Sequence, residues 1–144
     1  LLKNVCNPSF LVLSKNQKTL YALEELSNNE GGGKLHSISL NNPSLTFITV
    51  TSLGEHPCYL GLNYNILLCA NYTSGVLSAY SLQEDGQIIS NKYSKKQLEG
   101  KGPNLKRQKS SHAHFFDTVG KSLFSIDLGS DTICEFKFIY THEW

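Results

Sequence analysis

Methionine is absent from the sequence and tryptophan occurs only once. A chain translated from its own start ordinarily begins with methionine, so the absence leads us to expect a piece of a longer protein. The opening Leu1-Leu2-Lys3-Asn4 and the closing Thr141-His142-Glu143-Trp144, directly after a strand-like run, fit that expectation. Excess charge is missing as well: 13 Lys and Arg stand against 12 Asp and Glu, a formal net charge of +1. This balance supplies no broad field to draw the protein to nucleic acid or to an anionic membrane, so partners must be sought in local sites. No apolar run approaches the roughly 20 residues that span a bilayer, and the N-terminus lacks the basic and apolar regions of a secretion signal. The expectation is a soluble, cytoplasmic protein with no nucleic-acid or membrane partner. Cysteines are few and scattered: Cys6, Cys58, Cys69 and Cys134 form no C-x-x-C pair and have no histidine at a zinc-type interval. Buried free thiols are therefore expected, with no metal and no other cofactor. Asn71-Tyr72-Thr73 matches the glycosylation acceptor pattern, a chance match without a secretion signal.

What is present suffices for a core, because 144 residues with 40% hydrophobic and 17% charged composition match the size of one domain. One template recurs three times. Leu35, Ile38 and Leu40 in KLHSISL hold the same offsets as Leu77, Tyr80 and Leu82 in VLSAYSL, and as Ile133, Phe136 and Phe138 in TICEFKF. Each run ends in apolar/polar alternation, the period of a half-buried strand. Upstream of each lies a hairpin pattern: FLVLSKNQKTLYAL, YLGLNYNILLCA and HFFDTVGKSLFSI, each with a short polar or glycine-containing turn. Leu20, Leu67 and Leu123 align, at spacings of 47 and 56 residues. A weaker fourth strand follows in LTFITV (Leu45 to Val50) and in QIIS (Gln87 to Ser90). Four antiparallel strands per repeat of roughly 40 to 50 residues define a propeller blade. The predicted fold is all-β, a β-propeller fragment of about three four-stranded antiparallel blades over residues 1–144.

Two local features compete with that reading. LYALEEL, from Leu20 to Leu26, holds good helix formers, but its aligned partners LLCANY and LFSIDL do not look helical, so a strand is predicted. The glycines of NNEGGG, Asn28 to Gly33, precede neither a Lys-Ser/Thr pair nor a helix, and so form a flexible connection and no phosphate loop.

In an antiparallel hairpin the residue before the first strand and the residue after the second lie at the same end of the pair. This collects Glu55-His56-Pro57 with Asn71-Tyr72, and Ser111-His112-Ala113-His114 with Asp127; Glu24 and Glu25 hold the equivalent place in the first repeat. With blades fanned about an axis, all of these face one mouth, where a small polar ligand could bind. Each also has a plainer reading: His56 as an ordinary loop residue, Asn71 and Asp127 as turn caps. His112 and His114 point to one side of an extended segment, but no third ligand at suitable spacing completes a metal site. The basic stretch Lys101 to Lys109 lies in one loop and reads as solvated surface. Within it, Arg107 leads toward the His112 mouth and is suited to grip a phosphate or carboxylate through two hydrogen bonds.

At these residues the chain resembles the seven-bladed 6-phosphogluconolactonase family, which includes fungal enzymes that lactonise muconates. The match is ordered along nearly the whole chain: Asn7-Pro8-Ser9-Phe10-Leu11, Leu20-Tyr21-Ala22 with Glu25, and Gly33-Lys34-Leu35. His56-Pro57-Cys58 with Leu60 and Ala70-Asn71-Tyr72 with Gly75 follow. Gly102-Pro103-Asn104 with Arg107-Gln108, His112-Ala113-His114, and Asp127-Leu128-Gly129 with Asp131 complete the series. Glu24 departs from a more usual asparagine, and Lys109-Ser110-Ser111 stands where a glycine and proline often precede the histidine. A seven-bladed ring needs well over twice this length, so about four blades lie elsewhere.

The resemblance implies a parent that hydrolyses 6-phosphogluconolactone to 6-phosphogluconate, with the phosphorylated lactone and the remaining blades as partners. Such hydrolysis needs an activated water, donors for the developing oxyanion and cations for the phosphate. On that basis His56 or His114 is the expected general base and Arg107 the phosphate or oxyanion partner, with Glu25, Asn71, His112 and Asp127 positioning the substrate. Two rivals stand beside this reading: a muconate-type lactonising enzyme, and a non-catalytic propeller that binds a partner. Three blades alone leave two open flanks and unclosed strand edges, so the isolated chain is expected to show little or no lactonase activity.

Overall fold

The computed structural model describes residues 5–41, 47–120 and 122–137. Across them run three antiparallel sheets. The first holds β1 (Pro8–Leu13), β2 (Thr19–Glu24), β3 (Lys34–Ser39) and β4 (Phe47–Thr51), paired in that order, with one turn of 3-10 helix, η1 (Asn28–Glu30), between β2 and β3. The second holds β5 (Pro57–Asn63), β6 (Ile66–Asn71), β7 (Val76–Leu82) and β8 (Ile88–Gln97), again in order. The third holds β9 (Ala113–Val119), β10 (Ser122–Asp127) and β11 (Thr132–Phe136), three strands among the described residues. This is the meander of consecutive propeller blades. Leu20 to Glu24 form part of β2, as the repeat requires and helix propensity does not, because pairing with both β1 and β3 outweighs a weak local preference.

The first strands of the three sheets are neighbours around a common centre. Phe10, Tyr59 and Phe115 occupy the same position in β1, β5 and β9, and their rings pack in series at 4.9 and 4.7 Å. Strand β5 passes so close to β9 that a Cβ on Gly61 would lie 2.6 Å from the Phe116 carbonyl oxygen, which is why a residue without a side chain sits there.

The sheets stack face to face, and the second is covered on both faces. Leu67 and Cys69 of β6 join Tyr21, Leu23 and Leu35 in the core between the first two blades. Ile66, Leu68 and Ala70 turn the other way, into the core shared with Ala113, Phe116 and Leu123 of the third. All six residues of β6 are consequently buried. In β7, Leu77 belongs to the core shared with the third blade and Tyr80 and Leu82 to the core between the first two. The predicted alternation is seen at the end of this strand, where Tyr80 and Leu82 are buried and Ala79 and Ser81 half-buried, while its start, Val76 to Ser78, is buried throughout between the neighbouring sheets. Each fully buried leucine here adds about 1.5–3 kcal/mol of hydrophobic stabilisation. Polar ties cross the same seams: Tyr21 Oη donates to the Gly86 carbonyl at 2.7 Å and Tyr80 Oη to that of Thr51 at 2.9 Å.

Strand β8 extends well past the predicted Gln87 to Ser90 and is exposed along most of its length. Its Lys92, Lys95 and Lys96 decorate an edge and discourage pairing with another chain. For the fourth strand of the first blade, Leu45 and Thr46 lie outside the described residues, as do Phe138 of the repeat template, Lys121 of the third hairpin and both chain ends. Of the thiols, Cys69 alone is buried; Cys58 and Cys134 are half-buried and Cys6 is exposed, so burial corrects the expectation for three of them. Among the described residues no helix is long and apolar enough to cross a membrane.

Candidate active site

The same backbone device closes one end of every blade. The residue before each first strand accepts a hydrogen bond from the residue just past the second strand: Glu25 N–H to Asn7 O at 3.1 Å, Tyr72 N–H to His56 O at 2.8 Å and Leu128 N–H to His112 O at 3.0 Å. Asn7, His56 and His112 are therefore equivalent positions, and so are Glu25, Tyr72 and Leu128. His56 N–H also donates to Leu26 O at 2.9 Å, which joins the first two blades at this end. Asn7 and His56 both adopt positive φ, 43° and 49°. Asparagine tolerates that region; a histidine there is strained.

One residue earlier, Glu24, Asn71 and Asp127 end the second strands, and all three are buried. Asn71 Nδ2 donates to the carbonyls of Ser52 and Val76 at 3.2 and 3.1 Å, holding the connection between blades. Asp127 Oδ1 accepts the His112 and Gly129 N–H groups at 2.7 and 2.8 Å, and Oδ2 accepts the Ser130 hydroxyl at 2.7 Å. Burial works to raise the Asp127 pKa, but these hydrogen bonds prevail and hold it below the usual carboxylate value. Glu24 shows how the first blade accommodates a carboxylate at this position: Lys34 Nζ meets Oε2 at 2.9 Å, the Cys6 N–H meets Oε1 at 2.9 Å, and His36 Nε2 lies 3.4 Å away. Burial again opposes ionisation, and Lys34, Cys6 and His36 together outweigh it and depress the pKa. Burial lowers that of His36.

The histidines converge on a residue that sequence reasoning did not select. The Tyr72 ring stacks on His112 at 4.7 Å, 12° from parallel, and meets His114 edge-on at 5.9 Å. Its backbone N–H contacts His56, and its carbonyl accepts from His112 Nδ1 at 3.1 Å. The rings of His112 and His114 are thus brought together on Tyr72, across the seam between the second and third blades, while His56 meets Tyr72 through its backbone carbonyl. His56 Nε2 lies 3.9 Å from Glu30 Oε2, while its Nδ1 is buried without a partner. Hairpin geometry and the family-like Ala70-Asn71-Tyr72 run had placed Tyr72 at this end, but neither assigned it a role.

Glu25 is half-buried, and after burial its carboxylate is the second influence that pushes the half-buried Cys58 thiol up to about 12. That thiol donates toward the Ala113 carbonyl at 3.5 Å, immediately before His114, and the Glu25 backbone is tied to Asn7 at the equivalent end of the first blade. Arg107 is placed differently. It is exposed in the loop before β9, at the same end of the blades, and lines a depression of about 240 Å³ with Asn104, Gln108, Leu128 and Asp131. No hydrogen bond or ion pair joins it to a histidine among the described residues. The structure therefore yields a central histidine–tyrosine cluster and, beside it, a separate guanidinium. Among the described residues no group of three or more His, Cys, Asp and Glu side chains is arranged to hold a metal ion.

Three stacked antiparallel sheets in the meander of successive blades define the class, a propeller segment, and comparison with known proteins defines the family. The profile of the family described as lactonase, 7-bladed beta-propeller, matches residues 1–143, and the chain belongs to that family. It is 32% identical over 136 residues to the 6-phosphogluconolactonase of Bacillus subtilis (strain 168), covering 91% of this chain and 38% of that protein. It is also 32% identical over 143 residues to the 6-phosphogluconolactonase of Formosa agariphila, covering 93% of this chain and 39% of that one. Among solved structures it superimposes on a "putative 6-phosphogluconolactonase" from Bacteroides fragilis NCTC 9343 with TM-score 0.83 at 28% identity, covering 94% of this chain and 38% of that chain. The periplasmic gluconolactonase of Pseudomonas aeruginosa gives TM-score 0.76 at 26% identity, over 95% and 41%. The chain thus spans about two fifths of the length of the relatives it matches.

Proposed function

We propose that the complete propeller carrying this chain hydrolyses a phosphorylated sugar lactone, 6-phosphogluconolactone, to 6-phosphogluconate in the cytoplasm. The observation that supports this reading is the packing of the His112 and His114 rings on Tyr72 at one end of a lactonase-family propeller. Lactone opening needs a proton acceptor for the attacking water and a donor for the departing ring oxygen, and imidazole serves both roles near neutral pH. His56 and His114 are the sequence-nominated bases. Arg107, at the rim, suits the phosphate, which sits at the far end of the substrate from the lactone carbonyl. A guanidinium set apart from the imidazoles is consistent with that division. In this reading Glu25 and His112 contact the substrate, and Asn71 and Asp127, whose hydrogen bonds go largely to backbone groups, hold the surrounding chain in place.

The test is hydrolysis of 6-phosphogluconolactone by the complete protein and by its His56→Ala and His114→Ala variants. Loss of a positioned base costs roughly 10²–10³-fold or somewhat more in kcat. If both variants retained full activity, neither nominated histidine would be the base.

A further inference from the structure

The clue is the hydrogen bond between His112 Nδ1 and the Tyr72 carbonyl oxygen. A carbonyl can only accept, so Nδ1 must carry the proton, and in the neutral ring the lone pair then resides on Nε2. Every other freedom of this residue is removed as well. Its N–H is fixed by Asp127, its C=O by the Leu128 N–H, and its ring plane by stacking on Tyr72. Nε2 has no partner among the described residues and is not among the buried unpaired atoms. His56 offers a poorer base, with one nitrogen buried and the other toward Glu30. His114 is exposed, with an edge contact to Tyr72 and no hydrogen bond to orient its ring among the described residues.

We propose that His112, previously assigned only a positioning part, is the general base and acid of lactone opening, and that Tyr72 is the positioning residue that sets its tautomer and ring plane. This rests on the lactonase reading above. Water oxygen bonds to the lactone carbonyl carbon while one water proton passes to His112 Nε2. The ring C–O bond then breaks, and the imidazolium returns the proton to the departing ring oxygen. The products are the hydroxyl and the carboxylic acid, which ionises; nothing is oxidised or reduced. The arrangement has the logic of a hydrolytic triad in which a backbone carbonyl takes the orienting place usually held by a carboxylate.

Three variants and one spectroscopic measurement on the complete propeller test this. His112→Gly is expected to lower kcat about 10²–10³-fold with KM changed little, and added imidazole is expected to restore part of the rate. Tyr72→Phe keeps the ring and the carbonyl and is expected to retain near-full activity. Tyr72→Ala loses the stacked ring and is expected to lower kcat about tenfold, a loss that a purely structural substitution would show instead in the denaturation midpoint. ¹⁵N imidazole spectra of the wild type are expected to show His112 protonated at Nδ1, against the Nε2-protonated form that free imidazoles of histidine favour. An active parent in which His112→Gly keeps its rate, or whose His112 is protonated at Nε2, overturns the assignment and leaves the lactonase reading standing. A parent without lactone hydrolysis overturns that reading and the assignment together.

Discussion

Asp127 makes the most exacting demand on the structure, because a single carboxylate holds both the turn after β10 and the backbone of His112. Replacing it with alanine leaves the His112 and Gly129 N–H groups without their acceptor, in places shielded from water. An unpaired buried donor costs about 1–3 kcal/mol, so the two together should weaken this end of the third blade by about 3–5 kcal/mol. Asp127→Asn keeps an oxygen acceptor and loses only the charge assistance, a cost of about 1–2 kcal/mol. The assay is amide hydrogen exchange at His112 and Gly129 in the complete propeller, where local opening is read separately from global unfolding. At 1.36 kcal/mol per factor of ten, Asp127→Ala should accelerate exchange about 10²- to 10⁴-fold and Asp127→Asn about tenfold. The pH dependence has a defined sign: the carboxyl is depressed below its ordinary 3.8, so its contribution is complete above about that pH and is lost as pH falls through the lower folded value. Exchange in Asp127→Ala within about threefold of wild type would refute the view that this carboxylate clamps the histidine.

Other predictions follow from the same coordinates. His56→Gly relieves a positive φ that histidine adopts at a cost of about 1–2 kcal/mol, so the denaturation midpoint of the complete protein should hold or rise, apart from any effect on activity. Leu67, fully buried between the first two blades, should cost about 2–5 kcal/mol as alanine by the same measurement. Acid should destabilise the first blade in two stages. His36 stays neutral in the folded state while an unfolded histidine protonates, so stability begins to fall as pH drops below 6.5 and continues to the depressed folded value. Glu24, depressed below 4.5, adds a second loss as pH falls through its own folded value. In His36→Phe the first stage should vanish from a denaturation midpoint measured against pH, and an unchanged profile would count against burial as the force that keeps His36 neutral.

The blades were legible because their repeats align at matched positions. Leu20, Leu67 and Leu123 fix the register of β2, β6 and β10, and four residues on they deliver Glu24, Asn71 and Asp127 to the same buried corner of each sheet. The mouth followed from hairpin geometry alone. Less visible was what depends on neighbouring blades. Leu77 and Tyr80 lie on opposite faces of one strand, as a two-residue period requires, but that both faces are covered by neighbouring blades is not readable from the strand itself. Apart from Tyr93, which packs on Tyr80, the later part of β8 is polar and carries no alternating strand signal. Tyr72 earns its place through contacts with residues some 40 positions away, and a lone aromatic in a turn has no pattern to announce that. Asn71 and Asp127 had both a ligand reading and a capping reading in the sequence; their burial favours the cap, a distinction only packing could draw.

The most direct measurement is the initial rate at which the complete propeller opens 6-phosphogluconolactone, followed as proton release at fixed pH against the spontaneous reaction. The account predicts a saturable rate with kcat/KM of about 10⁴ M⁻¹s⁻¹ or more, and a rise in KM in Arg107→Ala. A rate no faster than the spontaneous one, at any substrate concentration, would contradict it.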